Sequence, residues 1–305
     1  AQVNFDTAKP EASKIHFSID TGSATMGSKE TDSNLLGADW FNIAKFPKAT
    51  FDSTAVKALG VVDAWPVPCE AFRQWVIEDN FVAGRPAWEL AGVQMVTDVI
   101  PWEEMKLRML NGSHSFLAWL GYLAGYPWIN RCMEDPVFRH AALRLMLSEQ
   151  APTLHITGTD LTAYATTLIT RFSNPALEHR TWQIAMDGSQ KLPQRMLDSI
   201  RWHLRNGSPW PCLALGVAGW MRYVGGVDEQ GNAIDVSDPQ LAVIQAAVNG
   251  SAEGESRVNA LLGIEAIFGN ELPKEPRFVA AVMAAYRSLL QQGAKATVAQ
   301  YASQR

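Results

Sequence analysis

Apolar residues recur at every second position near the start of the chain and at every third or fourth position over most of the rest. That change of period restricts the fold more than any other feature. In Lys14-Ile15-His16-Phe17-Ser18-Ile19-Asp20 polar and apolar residues alternate over seven positions, the pattern of a half-buried strand. Thr50-Phe51-Asp52-Ser53-Thr54-Ala55-Val56 alternates less regularly and is also strand-like. Between them Ser28 to Trp40 is polar with leucines at 35 and 36, which suits a short helix or ordered loop, and Phe46-Pro47 turns the chain into the second strand. Two or three strands of this length do not make a stable sheet alone.

Beyond Gly60 the spacing becomes helical. Ala71 to Ile77 opens with bulky residues at 72, 75 and 76, one helical face. Met105 to Leu123 carries apolar residues at 105, 109, 110, 116, 117, 120 and 123, and Gly125-Tyr126-Pro127 stops it. Val137–Leu147, Leu161–Phe172, Leu192–Leu204 and Phe278–Leu290 read the same way, punctuated by Asn174-Pro175, Ser208-Pro209 and Asp238-Pro239. The expected organisation is a β-rich segment over residues 1–60 and a mainly α domain over 61–305.

Composition narrows the function classes. Hydrophobic residues make up 47% of the 305, enough for a sizeable core, and the net charge of -5 offers no basic excess for a nucleic-acid surface. A small acidic metabolite is still compatible, since one local Lys/Arg/His pocket is enough to bind it. Cys69, Cys132 and Cys212 are odd in number and lack metal spacing, so they are expected to be small buried hydrophobes in a reduced, cytoplasmic protein. His140, His155, His179 and His203 show no ligand spacing either, and no metal is expected. No apolar run reaches the roughly 18–20 residues of a membrane span, and no signal-peptide pattern begins the chain. All eleven tryptophans but Trp40 lie beyond residue 60, as a large packed helical body would require.

The chemistry is concentrated in Lys106-Leu107-Arg108-Met109-Leu110-Asn111-Gly112-Ser113-His114. On a helix at about 100° per residue, Lys106, Asn111 and His114 fall at about 0°, 140° and 80°, so one helix can turn all three towards a common pocket. Oxidising an alcohol needs a base for the hydroxyl proton while hydride leaves carbon, and a lysine serves if burial or neighbouring positive charge lowers its pKa. An amide and an imidazole can donate to the developing oxygen charge. The plain alternative is a solvated lysine, a capping asparagine and a satisfied core histidine. Lys191 and Arg195 either bind substrate hydroxyls or a carboxylate, for which arginine is well shaped, or are two solvated charges near a helix start. Glu78-Asp79 reads as a solvated helix face.

Two resemblances add to this reading. Trp65-Pro66-Val67-Pro68, Gln74-Trp75-Val76-Ile77-Glu78-Asp79, the Lys106–His114 word, Arg171-Phe172-Ser173-Asn174-Pro175 and Asp187-Gly188-Ser189-Gln190-Lys191-Leu192-Pro193-Gln194-Arg195 resemble the mannitol dehydrogenase family, nearest its fructuronate and tagaturonate reductase branches. The resemblance implies a multi-helical dehydrogenase C-terminal domain. It also implies Lys106 as general base, Asn111 and His114 on the reacting oxygen, a polyol or sugar-acid substrate, and NAD or NADP as cofactor. Ile19-Asp20-Thr21-Gly22-Ser23, Glu30-Thr31-Asp32-Ser33-Asn34-Leu35 and Ala38 to Phe51 resemble a fragment of the YceI-like, lipocalin-fold family. Gly22, Gly27 and Gly37 are scattered, and Gly216-x-x-Gly219 and Gly225-Gly226 follow a helical pattern, so none forms the G-x-G-x-x-G word of a dinucleotide turn.

Three functions follow as expectations. One is the substrate domain of a dehydrogenase, paired with a cofactor domain from elsewhere. Another is a non-catalytic binding or oligomerisation module, with a homo-oligomer as partner. The last is lipid binding through residues 1–60. No membrane or nucleic-acid partner is expected.

Overall fold

A computed structural model describes residues 2–4, 14–23, 36, 43–45, 47–52 and 72–304. The chain divides into two compact units, Ala1–Arg73 and Gln74–Arg305. In the first, β1 (Gln2–Asn4), β2 (Lys14–Asp20) and β3 (Lys48–Asp52) form an antiparallel sheet in that order. The alternation over 14–20 is β2, residue for residue, and β3 begins two residues before Thr50, with Phe51 opposite Phe17. Apart from Leu36, the Ser28–Trp40 stretch lies outside the described residues, as do Trp65–Cys69 and the expected change of texture near residue 60.

The second unit opens with a departure from expectation. The expected helix start at 71–77 is not a helix over its described residues, 72–77: Val76–Glu78 is a strand, β4, paired in parallel with β5 (Gln94–Val96). The helical spacing there spans only two turns, and β-branched Val76 and Ile77 favour an extended chain once a neighbouring strand accepts their backbone. Glu78 and Asp79 are therefore on no helix face. Asp79 is clamped by the Arg85 guanidinium at 2.8 Å, which holds its carboxyl below the usual range.

From residue 100 the unit is helical. α1 (Ile100–Met105) runs through a π-turn (Lys106–Gly112) into α2 (Ser113–Leu123), and α3 (Ile129–Glu134) follows. α4 (Pro136–Arg144) runs into a second π-turn (Leu145–Gln150), and α5 (Leu161–Phe172) and α6 (Thr181–Ala185) come next. α7 (Gly188–Leu192) enters a third π-turn (Pro193–Leu197) and leaves as α8 (Asp198–Asn206). The remainder is α9 (Pro211–Tyr223), α10 (Leu241–Asn249), α11 (Glu255–Leu262), α12 (Glu265–Phe268) and α13 (Pro276–Ser303).

The core forms where α2 and α13 pack on α9. α9 is apolar all round and buried along almost its whole length, as such a helix must be. Gly216 and Gly219 are its points of close approach. A Cβ at Gly216 would lie 2.7 Å from Met196 Sδ, and one at Gly219 would lie 2.8 Å from Leu120 Cδ2. The Gly-x-x-Gly pair is a packing device for neighbouring helices. At the start of α9 the backbone N–H groups of Cys212 and Leu213 donate to the two oxygens of buried Glu149 at 2.9 and 2.8 Å. Trp119 and Trp220 are fully buried, and Cys132 and Cys212 are free, buried thiols. No helix among the described residues is long and apolar enough to cross a membrane.

Candidate active site

Lys106, Asn111 and His114 stand on one uninterrupted helical path, but its geometry differs from an ideal α-helix. Lys106–Gly112 is bonded i→i+5, which packs more residues into each turn, so residues five apart lie closer in angle than the about 140° of α spacing. The π-turn thereby narrows the angle between Lys106 and Asn111, and α geometry resumes at Ser113, next to His114. Lys106 is exposed, Asn111 half-buried. Part of the His114 ring is open, yet its Nε2 is sealed from solvent and has no hydrogen-bond partner.

Phe172, at the end of α5, stacks on the His114 ring at 5.1 Å and 15°, and His179 lies 5.5 Å away on a tilted plane. Burial pushes the His114 imidazole down to about 3, helped by the positive charges of His179, Arg195, Lys191 and Arg171. The ring is neutral at physiological pH, and a neutral imidazole has one N–H to give and one nitrogen to accept with.

The second motif supplies the cations. Asp187 adopts a left-handed backbone (φ +56) ahead of α7. Gly188 lies against the Trp220 indole, where a Cβ would stand 2.3 Å from Nε1. Ser189 donates from its N and Oγ to Asp238 at 2.8 and 2.5 Å, which fixes the start of α7. Lys191 Nζ donates to the carbonyls of Ile184 (3.2 Å) and Met186, and it lies 3.9 Å from Asp187 Oδ2. Burial lowers its pKa, and the Arg195 charge adds to the shift. Arg195 Nη1 donates to Asn111 O at 3.3 Å and to Ser115 Oγ at 2.9 Å, and burial lowers its guanidinium to about 10. The structure thus brings Asn111, His114, Lys191 and Arg195 together. It places Arg195 on the backbone behind Asn111.

Sequence reasoning gave no role to Arg108, Gln150, Thr153 or His179. Arg108 lies inside the first motif, and that was its only signal. Gln150 and Thr153 sit at the polar end of a helix, where no local pattern distinguishes a buried amide from a solvated one.

This fold is that of a multi-helical dehydrogenase C-terminal domain. The mannitol dehydrogenase C-terminal domain matches residues 98–290, and the chain belongs to that family. A YceI-like domain matches residues 1–82. The oxidoreductase YdfI of Escherichia coli (strain K12) is 67% identical over 84% of this chain and 53% of its own length. The D-mannonate oxidoreductase of the same organism is 63% identical over 79% of this chain and 50% of its own. The solved mannitol 2-dehydrogenase of Pseudomonas fluorescens, in ternary complex with NAD and D-mannitol, superposes with a TM-score of 0.74 at 36% identity, covering 96% of this chain and 54% of that one. The chain spans about half the length of the curated relatives it matches.

Proposed function

We propose that the helical unit binds a hexonate or related polyol and moves its hydroxyl proton in an NAD(P)-linked interconversion with the keto form. Lys106 is the general base, Asn111 and His114 hold the reacting oxygen, and Lys191 with Arg195 supplies positive field for a carboxylate. The observation that carries this is the buried, unpartnered His114 Nε2 within a group of cations, on the same helix as Lys106 and Asn111. A buried imidazole nitrogen without a partner is unfavourable, and a substrate oxygen would satisfy it. The neutral ring can donate its one N–H to a developing alkoxide or carbonyl oxygen without adding a positive charge to the site. Substrate and hydride acceptor lying over exposed Lys106 would exclude water from around it.

The described residues do not build a dinucleotide cradle. Their parallel pairing is confined to two three-residue strands, and no helix opens directly from either. The proposed reaction therefore draws its hydride acceptor from residues other than these. The test is a titration with NAD and NADP, then absorbance of the reduced cofactor with D-mannonate and D-mannitol. Turnover that falls by about 10²–10⁴-fold in Lys106→Ala supports the base assignment, and turnover unchanged by that substitution overturns it.

A second reading, a non-catalytic association module, is favoured by one observation. Trp75, Val82, Leu90 and Ile100, around β4 and β5, are 62%, 105%, 88% and 58% exposed. Apolar side chains at that density mark a surface that associates. Absence of cofactor binding together with a concentration-dependent mass in light scattering would favour this reading.

A further inference from the structure

Three π-turns in one helical unit are far above the usual frequency, well under 1% of residues, and here all three meet. The first (Lys106–Gly112) packs on both the second (Leu145–Gln150) and the third (Pro193–Leu197). Widening the bonding from i→i+4 to i→i+5 leaves carbonyls near each turn short of an intrahelical donor, and buried carbonyls must find one elsewhere.

Side chains of the turns and of Thr153, just after the second, donate to carbonyls across the interface in a closed ring. From the first turn, Arg108 Nη1 donates to Thr153 O at 2.7 Å and to Thr153 Oγ1 at 3.1 Å. Thr153 Oγ1 donates to Gln150 O, in the second turn, at 2.7 Å. Gln150 Nε2 donates to Arg195 O, in the third, at 2.8 Å. Arg195 Nη1 returns to Asn111 O, in the first, at 3.3 Å. Ser199 Oγ donates to Gln150 Oε1 at 2.5 Å and so fixes which way the amide faces. Gln150 and Ser199 are wholly buried. Gly112 keeps the turns in contact, since a Cβ there would lie 3.0 Å from both Arg195 O and Gln150 Nε2.

We propose that Gln150 is a positioning residue for the reacting-oxygen site: its amide locks the third π-turn, and through Arg195 it holds the Asn111 backbone, and hence the Asn111–His114 pair, in register. The assignment of that pair rests on the function proposed above, whereas the ring itself does not. Without an amide donor at 150, the Arg195 carbonyl loses its bond from the second turn, and an α-helical turn becomes the cheaper conformation for residues 193–197. Reverting to α spacing rotates Arg195 away from Asn111 and Ser115 and frees the first turn to do the same.

The experiment compares the full chain with Gln150→Met, which fills the space without a donor, and Gln150→Glu, which donates only when protonated. Gly293→Ala, outside the ring, serves as a control for general destabilisation. Amide hydrogen exchange by mass spectrometry is read over 106–112 and 193–197, and D-mannonate affinity by calorimetry. In Gln150→Met exchange should accelerate in both distant turns, but not in α9 or α13, and D-mannonate affinity should fall by about tenfold or more, the loss expected for one buried hydrogen bond. Gln150→Glu should regain affinity as pH falls, Gln150→Met should not, and Gly293→Ala should leave affinity unchanged. Exchange that changes only around 145–153, or affinity lost equally in Gly293→Ala, overturns the proposal. If the unaltered chain binds no D-mannonate, the functional reading fails while the exchange pattern still decides the ring.

Discussion

His114 shows how one residue can be legible by type and illegible by state. Its place in the motif marks it as a hydrogen-bonding group, but its protonation is set by its own burial and by His179, Arg195, Lys191 and Arg171. Its folded pKa of about 3 lies below the ordinary 6.5. The stability linked to it is therefore complete above pH 6.5 and is lost as pH falls through the folded value. Thermal melts stepped from pH 7 to pH 4 should show a steeper loss for the unaltered chain than for His114→Phe, which keeps the stacking and cannot titrate. Parallel slopes would mean that His114 is not held neutral by the fold. Buried Glu149 works in the other direction. Burial raises its carboxyl to about 7 against two donating backbone N–H groups, so its contribution is complete below about 4.5 and fades as pH rises through 7. Gly112 is a residue-scale test of close packing. Gly112→Ala should cost about 1–3 kcal/mol in chemical denaturation, because the new methyl meets a carbonyl and a buried amide at 3.0 Å.

Among the elements, the helices with a clean 3.6-residue period were legible and the interrupted ones only in outline. Leu161–Phe172 is a helix at the residues expected, started by Asp160, whose carboxylate accepts from the N–H groups of Thr162 and Ala163 at 2.9 Å. The expected Phe278–Leu290 helix is the first half of a longer element, Pro276–Ser303, that continues across a kink at Gly293. That glycine has φ +78 and ψ 170, a region open essentially only to glycine, and Glu229 caps the restarting helix at Ala294 N. Gly293→Ala should therefore lower stability by about 1–3 kcal/mol in denaturant melts, and a loss below the error of the melt would show that the kink is not imposed by the fold. The π-turns were invisible to a reading at 100° per residue. An i→i+5 turn depends on what the freed carbonyls find across the interface, and that is written nowhere in the local sequence.

At the scale of the whole molecule, the balance of charge and the local field point in opposite directions. The chain carries a net -5, yet His114 lies among Lys191, Arg195, Arg171 and His179. A site with this field should prefer a sugar acid to the neutral polyol of the same skeleton. D-mannonate should therefore stabilise the protein in thermal-shift assays more than D-mannitol does. The difference should shrink as salt rises from about 0.01 M to 1 M, where the screening length falls from about 30 to about 3 Å. Equal shifts for the two ligands would remove the carboxylate from the proposal while leaving the polyol-oxidising chemistry in place.

The sequence by itself determined the mainly helical class of the second unit, the strand at Lys14–Asp20, and the membership of Lys106, Asn111 and His114 in one helix. Each follows from the period of apolar residues or from a contiguous motif, and both act over a few turns of chain. It misplaced Ala71–Ile77, because a two-turn pattern is too short to outweigh a strand partner that arrives from residues 94–96. Only the tertiary structure decided that Arg195 braces Asn111 and that His114 is neutral. Only there do Gln150 and Thr153 close a ring through bonds between residues 45 or more apart in sequence. Hydrogen bonds between buried groups are set by which carbonyls packing leaves unpaired, and that becomes defined only once the helices have met.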